Sequence, residues 1–373
     1  MAGGNSPGTR QWLMERRLPS RPYRRHLAGL SAPRTSSRLE AGAPTRISFH
    51  PAMIPNSQNL ETTHQSPWLR LYTKFVVAST LFLIFAGAMV TSTGSGLAVP
   101  DWPLSYGMLM PPMVGGIFYE HGHRMIASLV GLLTVIQGIW LQMKEPRRFV
   151  RVLGWIAVAA VIAQGLLGGL TVLFFLPPAI SIAHAGLAEL FLCINVAIAF
   201  FVSKMFRELR GAGSVEVPVG TTTLLAAIVY GQVLAGAVMR HLGAGLAIPD
   251  FPLAFGRLVP LFSSTGIIVN YVHRVGAVVV SMMVLIVAFQ ILRSKAVSHL
   301  KGVITLLLLL LSAQIALGAY TVWSAKQPII TSLHVMTGAL TLGTSLLLCL
   351  ATRALAAGRA PRVSAVGVTE VPA

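Results

Sequence analysis

The sequence predicts an all-α membrane protein whose eight transmembrane helices form two parallel-repeat four-helix bundles. Three observations lead there. Hydrophobic residues make up 54% of the 373 and charged residues only 11%, too apolar for a soluble globule. From Leu71 onward the apolar residues gather into segments of roughly 20, each long enough to cross a hydrocarbon core of about 30 Å. The later segments also repeat the earlier ones at an offset of 149 to 150 residues. Only helices satisfy their own backbone polar groups in segments of this kind.

Residues 1–66 form a basic tail, with nine arginines up to Arg46 against Glu15 and Glu40. It has no apolar core of the kind a secretory signal peptide needs. Arginine, serine and few acids suit a mitochondrial presequence, but the prolines and glycines interrupt any continuous amphipathic helix. A disordered cytoplasmic tail, or a true start at Met53, are the plainer readings. The formal charge of +18 resides in this tail and in short loops, without aromatic residues interleaved. Membrane topogenesis accounts for it better than nucleic acid, and no nucleic-acid partner is expected. Cys193 and Cys349 both fall inside apolar segments, so neither a disulfide framework nor a cysteine metal site is expected.

The eight segments run near 72–92, 122–143, 152–174, 181–203, 221–239, 270–292, 302–323 and 331–351. They divide into an N-terminal half over 67–210 and a C-terminal half over 211–352, with a cytoplasmic tail at 353–373. Lys144, Arg147, Arg148 and Arg151 follow the second segment, and similar clusters follow the fourth, sixth and eighth. The opposite loops carry only Arg240, Arg257 and Lys326. Positive charge stays inside, so both termini are expected in the cytoplasm, or in the matrix of a mitochondrion.

The repeat is clearest in a loop. Gly94-Ser-Gly-Leu-Ala-Val-Pro-Asp-Trp-Pro-Leu-Ser-Tyr-Gly107 matches Gly243-Ala-Gly-Leu-Ala-Ile-Pro-Asp-Phe-Pro-Leu-Ala-Phe-Gly256, and Gln164 with Gly168 matches Gln314 with Gly318. Four spans is an even number, so both halves insert in the same direction.

Two histidine pairs recur with the repeat. His123 and His273 open the second and sixth helices, while His184 and His334 lie about a turn inside the fourth and eighth. The four imidazoles therefore share one depth near the outer leaflet. One such histidine reads equally as a hydrogen-bonded packing residue. Two pairs, each from two helices of one half, suit haem iron gripped from both sides. Zinc would need three or four ligands converging at one point. Gly122, Gly186, Gly276 and Gly338 would leave room for a flat macrocycle, although glycine at close helix crossings reads the same way.

Arg124 and Arg274 directly follow two of the histidines and are candidate forks for haem propionates, against the alternative of a charge snorkelling to water. Glu120 lies three residues before His123, and its counterpart is Asn270, which cannot titrate. An acid in one half only points to proton-coupled chemistry there and electron carriage in the other. A solvated loop acid, or a charge at the helix N-terminus, is the alternative. His121 and His241 have no counterpart and are expected at the interface. Asp101 and Asp250 are expected to cap turns.

Together these residues resemble the haem A synthase family, over about Lys74 to Thr352. The resemblance rests on the eight helices in two halves, Glu120-x-x-His123-Arg124, the loop Asp101-Trp102-Pro103-Leu104, and His184, His273 and His334. It implies oxidation of a methyl group of haem O to a formyl group, giving haem A for haem-copper oxidases, with water as oxygen source. His123 and His184 would hold the substrate haem, His273 and His334 a haem b cofactor, and Glu120 would be the catalytic acid. Haem O synthase as donor and terminal oxidase assembly factors are the implied partners, in a bacterial inner membrane or a mitochondrial one. A quinone is a candidate electron acceptor, and a homo-oligomer is left open. Ser105 stands where some members carry a loop cysteine, so regulation through a cysteine pair is not expected. Two other classes compete: a non-catalytic di-haem cytochrome b, which gives Glu120 no task, and a parallel-repeat transporter, which would place polar groups near mid-membrane.

Overall fold

The computed structural model describes residues 66–213, 215–294 and 297–358. The basic segment over 1–65 and the end of the chain from 359 lie outside the described residues. Among those described, the elements are helical: α1 Pro67–Ser92, α2 Gly116–Lys144, α3 Arg148–Leu173, α4 Pro178–Phe201, α5 Lys204–Gly211, α6 Val219–His241, α7 Thr265–Leu292, α8 Val297–Trp323 and α9 Pro328–Ala356, with a 3₁₀ turn at Ala244–Leu246. Eight of these helices are long and apolar enough to cross a membrane.

Local chemistry sets the starts. Pro67, Pro178 and Pro328 stand at the first helical position of α1, α4 and α9, where the missing N–H costs nothing. Ser264 caps α7 by accepting from the N–H of Ile267 at 3.3 Å. Helices α2 and α7 begin at Gly116 and Thr265, about a turn and a half before the expected 122 and 270. Their first turns are less apolar than the rest, which hid them from a hydrophobicity reading. One helix was not foreseen. α5 is too short and too charged to register as apolar, yet Ser203 caps it at Phe206 N and its Leu209 is buried.

Helix α1 packs on α2 and α4, α2 on α3, and α3 on α4; α6 packs on α7 and α9, α7 on α8, and α8 on α9. Contacts of α1 with α9, α4 with α9 and α4 with α6 join these groups. Helix α9 is the central one, with 67% of its apolar window inside the protein against 33% or less for the others. Besides Leu342, Leu348 and Leu355, its buried residues include Thr337, Gly338, Ala339, Thr341, Gly343, Thr344 and Ser345, small residues that let backbones approach where lipid supplies no hydrophobic drive. Thr341 and Ser345 return their hydroxyl protons to carbonyls one turn back, at 2.8 Å each. Large apolar side chains such as Phe75, Phe82, Leu132, Leu285 and Phe289 face outward, as a bilayer requires.

The two long loops, 93–115 and 242–264, fold alike. Asp101 accepts from the N–H groups of Tyr106 (2.7 Å) and Gly107 (2.8 Å), and Asp250 from those of Phe255 and Gly256 at the same distances. Gly107 and Gly256 adopt φ of +70° and +71°, a conformation glycine takes without a Cβ penalty. The expected turn-capping role of both aspartates is what the structure has. Because Gly107, then Tyr106, donate to its carboxylate, Asp101 is held below the ordinary value of 3.8; Gly256 and Phe255 do the same for Asp250.

Candidate functional site

His123 and His273 do not open their helices: the early starts of α2 and α7 place them about two turns in, matching His184 and His334 in α4 and α9. His123 lies within electrostatic range of His184, and His273 within range of His334.

Each imidazole rests against a bare stretch of neighbouring helix. A Cβ on Gly87 of α1 would stand 2.9 Å from Cε1 of His123, and one on Gly168 of α3 would stand 3.2 Å from Cε1 of His184. On Gly236 of α6 and Gly318 of α8 the distances to His273 and His334 would be 3.0 and 3.1 Å. A Cβ at Gly87 would force a shift, and at the other three the ring would have to give by a few tenths of an ångström. The glycines singled out from the sequence are different ones. Gly186, Gly276 and Gly338 abut Leu234, Gln232 and Gln314, and Gly122 has only Met113 within reach. The signal for the correct set was present in the repeat: Ala86-Gly87-Ala88 recurs as Ala235-Gly236-Ala237, and Gly168 as Gly318.

Glutamines complete the surroundings. Gln164 donates to the carbonyl of His184 at 2.9 Å and Gln232 to that of His273 at 2.8 Å. Gln232 Nε2 also lies 3.1 Å from Nδ1 of His273, whereas its counterpart beside His123 is Leu83. Nδ1 of His123, His184 and His334 is buried without a partner. Unpartnered buried polar atoms are uncommon, and a bound group is one explanation for them. No three His, Cys, Asp or Glu side chains converge among the described residues. Two imidazoles per half with glycines against the rings would suit a haem iron, and among the described residues do not supply a tetrahedral zinc site.

Glu120 is not a solvated loop acid. It lies inside α2, 3% exposed, with Oε2 accepting from Val99 N at 2.7 Å and Oε1 paired to Arg124 Nη2 at 2.6 Å. Arg124 also donates to the carbonyls of Asp101 (2.8 Å), Leu104 (3.0 Å) and Val99 (3.0 Å). In the other half Arg274 Nε donates to Asn270 Oδ1 at 2.9 Å, and its Nη atoms donate to the carbonyls of Asp250, Leu253 and Ile248. Both arginines thus tie a loop to the helix that carries a histidine. His121, expected at the interface, is buried with Nδ1 2.8 Å from Ser105 Oγ.

Ring size and backbone match across the halves. Trp102 lies so close to Gly169 that a Cβ there would meet its ring at 2.7 Å, while Phe251, the smaller ring, lines the same cavity as Ala319, the counterpart of Gly169. Sequence reading also passed over Glu189 of α4, which is 4% exposed with Oε2 unpartnered, within electrostatic range of Tyr230 on α6. An acid inside an apolar segment was its signal. Arg240, counted with the loops, lies instead in the last turn of α6.

Residues 113–346, which include Glu120 and all four histidines, match the family model described as "Cytochrome oxidase assembly protein" (COX15-CtaA). The chain belongs to the COX15-CtaA family. It is 32% identical over 227 residues to the "Heme A synthase" of Alkalihalophilus pseudofirmus, covering 58% of this chain and 74% of that one. It is also 32% identical over 248 residues to the "Heme A synthase" of Symbiobacterium thermophilum (64% and 80%), and 30% identical over 256 residues to that of Shouchella clausii (65% and 82%). COX15-CtaA membership and the eight apolar helices make the chain a multi-pass membrane protein.

Proposed function

We propose that this protein is a haem A synthase, which oxidises a methyl group of haem O to a formyl group and so yields haem A. The observation that carries the reading is the pair of histidine sites, each seated on glycines, with an ion-paired acid beside one of them only. Conversion of a methyl and one water to a formyl releases four electrons and four protons, so the reaction needs an electron acceptor and a path for protons.

His123 and His184 would hold the substrate haem, and His273 and His334 would hold a haem b, which supplies electron transfer when bound. Water is the proposed oxygen source, consistent with an acid beside His123 to take up the protons released. Glu120 receives protons next to the substrate, and Arg124 keeps its carboxylate in place. The difference between Glu120 and Asn270 then assigns proton chemistry to the N-terminal half. Arg124 and Arg274 hold the two loops to the helices that carry His123 and His273. A bacterial inner membrane with both termini in the cytoplasm suits the loop charges. Haem O synthase as donor, oxidase assembly as destination and a quinone as acceptor are the corresponding partners.

The test is to express the chain with a haem O source, purify it in detergent, extract the haem and separate it by chromatography. Haem b together with haem O or haem A, with haem A lost in Glu120→Ala, is the expected result. Haem b alone in both proteins would leave a di-haem electron carrier instead.

A further inference from the structure

The last turn of α6 departs from the repeat. Arg240 and His241 stand where the first half has Thr91 and Ser92. Arg240 reaches out of its own half: Nη2 donates to the carbonyl of Ala88 at 2.6 Å and to Ser92 Oγ at 2.8 Å, both on α1. Ala88 follows Gly87, the seat of His123. Ser92 in turn hydrogen-bonds Ser332 Oγ at 3.0 Å, two residues before His334 on α9. Arg240 also lies within electrostatic range of His334. The other terminal nitrogen, Nη1, is buried with no partner.

The residue is half-buried, but a guanidinium nitrogen shut off from water favours an anion, because desolvating charge without one is costly. Among the described residues no carboxylate is paired with Arg240: the ion pairs there are Glu120–Arg124 and Glu145–Arg147. Arg274 spends its three nitrogens on Asn270 and loop carbonyls. One N–H of Arg240, at the end of α6, is therefore left for a carboxylate that arrives with a ligand.

We propose that Arg240 Nη1 binds a propionate carboxylate of the haem held by His273 and His334. Through Nη2 the same side chain latches that site to α1. The inference rests on the haem reading above and adds a residue to it. Because the first half has Thr91 at this place, the effect belongs to one haem only. A cation near a haem favours the reduced form, which carries one positive charge less.

The experiment is a spectroelectrochemical titration of the purified full-length protein, with haem content measured alongside, in wild type, Arg240→Gln and Arg240→Lys. It is repeated in a His123→Ala background so that the second-site haem is seen by itself. Arg240→Gln is expected to keep the second haem and to shift its oxidised-to-reduced ratio at fixed potential about tenfold toward oxidised, equivalent to about 59 mV for one electron. Arg240→Lys keeps the charge without the fork and is expected to shift less, in the same direction. If Arg240→Gln does not assemble, an unshifted Arg240→Lys overturns the proposal. So does an unshifted Arg240→Gln, or a shift confined to the haem lost in His123→Ala. Absence of haem from the wild type would instead sink the haem reading itself.

Discussion

Glu120 and Arg124, one turn apart on α2, form an ion pair at 2.6 Å, while the equivalent residues Asn270 and Arg274 share a hydrogen bond at 2.9 Å. The same scaffold therefore carries a proton-exchanging group in one half and a fixed amide in the other. Both arginines go on to hold a loop by three carbonyls.

Replacing the acid separates chemistry from binding. Glu120→Gln keeps the size and the acceptor for Val99 N–H but exchanges no proton. Turnover of haem O is expected to fall by about 100- to 10,000-fold, the usual range for a lost acid or base. Haem content should change little. Loss of both together would make Glu120 a structural residue.

The glycine seats predict site-selective loss. Gly87→Ala places a Cβ 2.9 Å from His123 Cε1, and Gly236→Ala places one 3.0 Å from His273 Cε1. Overpacking of this kind costs about 1–3 kcal/mol and displaces the ring. Gly87→Ala should lower occupancy of the first site and Gly236→Ala that of the second, as read by haem extraction. Gly131→Ala on α2, which has open space around it, is the control that should change nothing.

Loop anchorage should be measurable as stability. Hydrogen bonds to a charged group contribute about 1.5–3 kcal/mol each when buried, and those of Arg124 are only partly so. Arg124→Ala is expected to destabilise the N-terminal half by a few kcal/mol in total, visible as a lower melting temperature and faster proteolysis within 93–115. Arg274→Ala should do the same within 242–264.

Acid should loosen the same loops. The carboxyls of Asp101 and Asp250 are held below 3.8 by backbone N–H donors. A depressed value means that the ionised form stabilises the fold above the unfolded value and that this contribution disappears as pH falls through the folded one. Protease sensitivity of both loops should thus be flat from neutral pH down to about 4 and rise below it. In Asp101→Asn, which takes protons from neither side of that range, the first loop should be sensitive throughout.

Much of this was legible in the chain. The eight spans, the offset of 149 to 150, the four histidines and the odd acid all follow from residue type and spacing. Helix starts were not, because the opening residues of α2 and α7 include Glu120, His121 and Asn270 and are less apolar than the rest, so hydropathy alone places the starts late. The seats of the histidines were also misplaced: a glycine's role depends on which ring lies against it, and that is set by how α1 and α3 meet α2 and α4. Arg240 looked like a loop charge, since nothing local reveals that it crosses to Ala88 and Ser92.

The most direct test of the account is the haem-to-protein ratio of the purified chain, compared between wild type, His123→Ala and His334→Ala. One haem per half is expected in the wild type, with each variant losing the haem of its own half and keeping the other. A ratio unchanged by both substitutions, or no haem in the wild type, would contradict it.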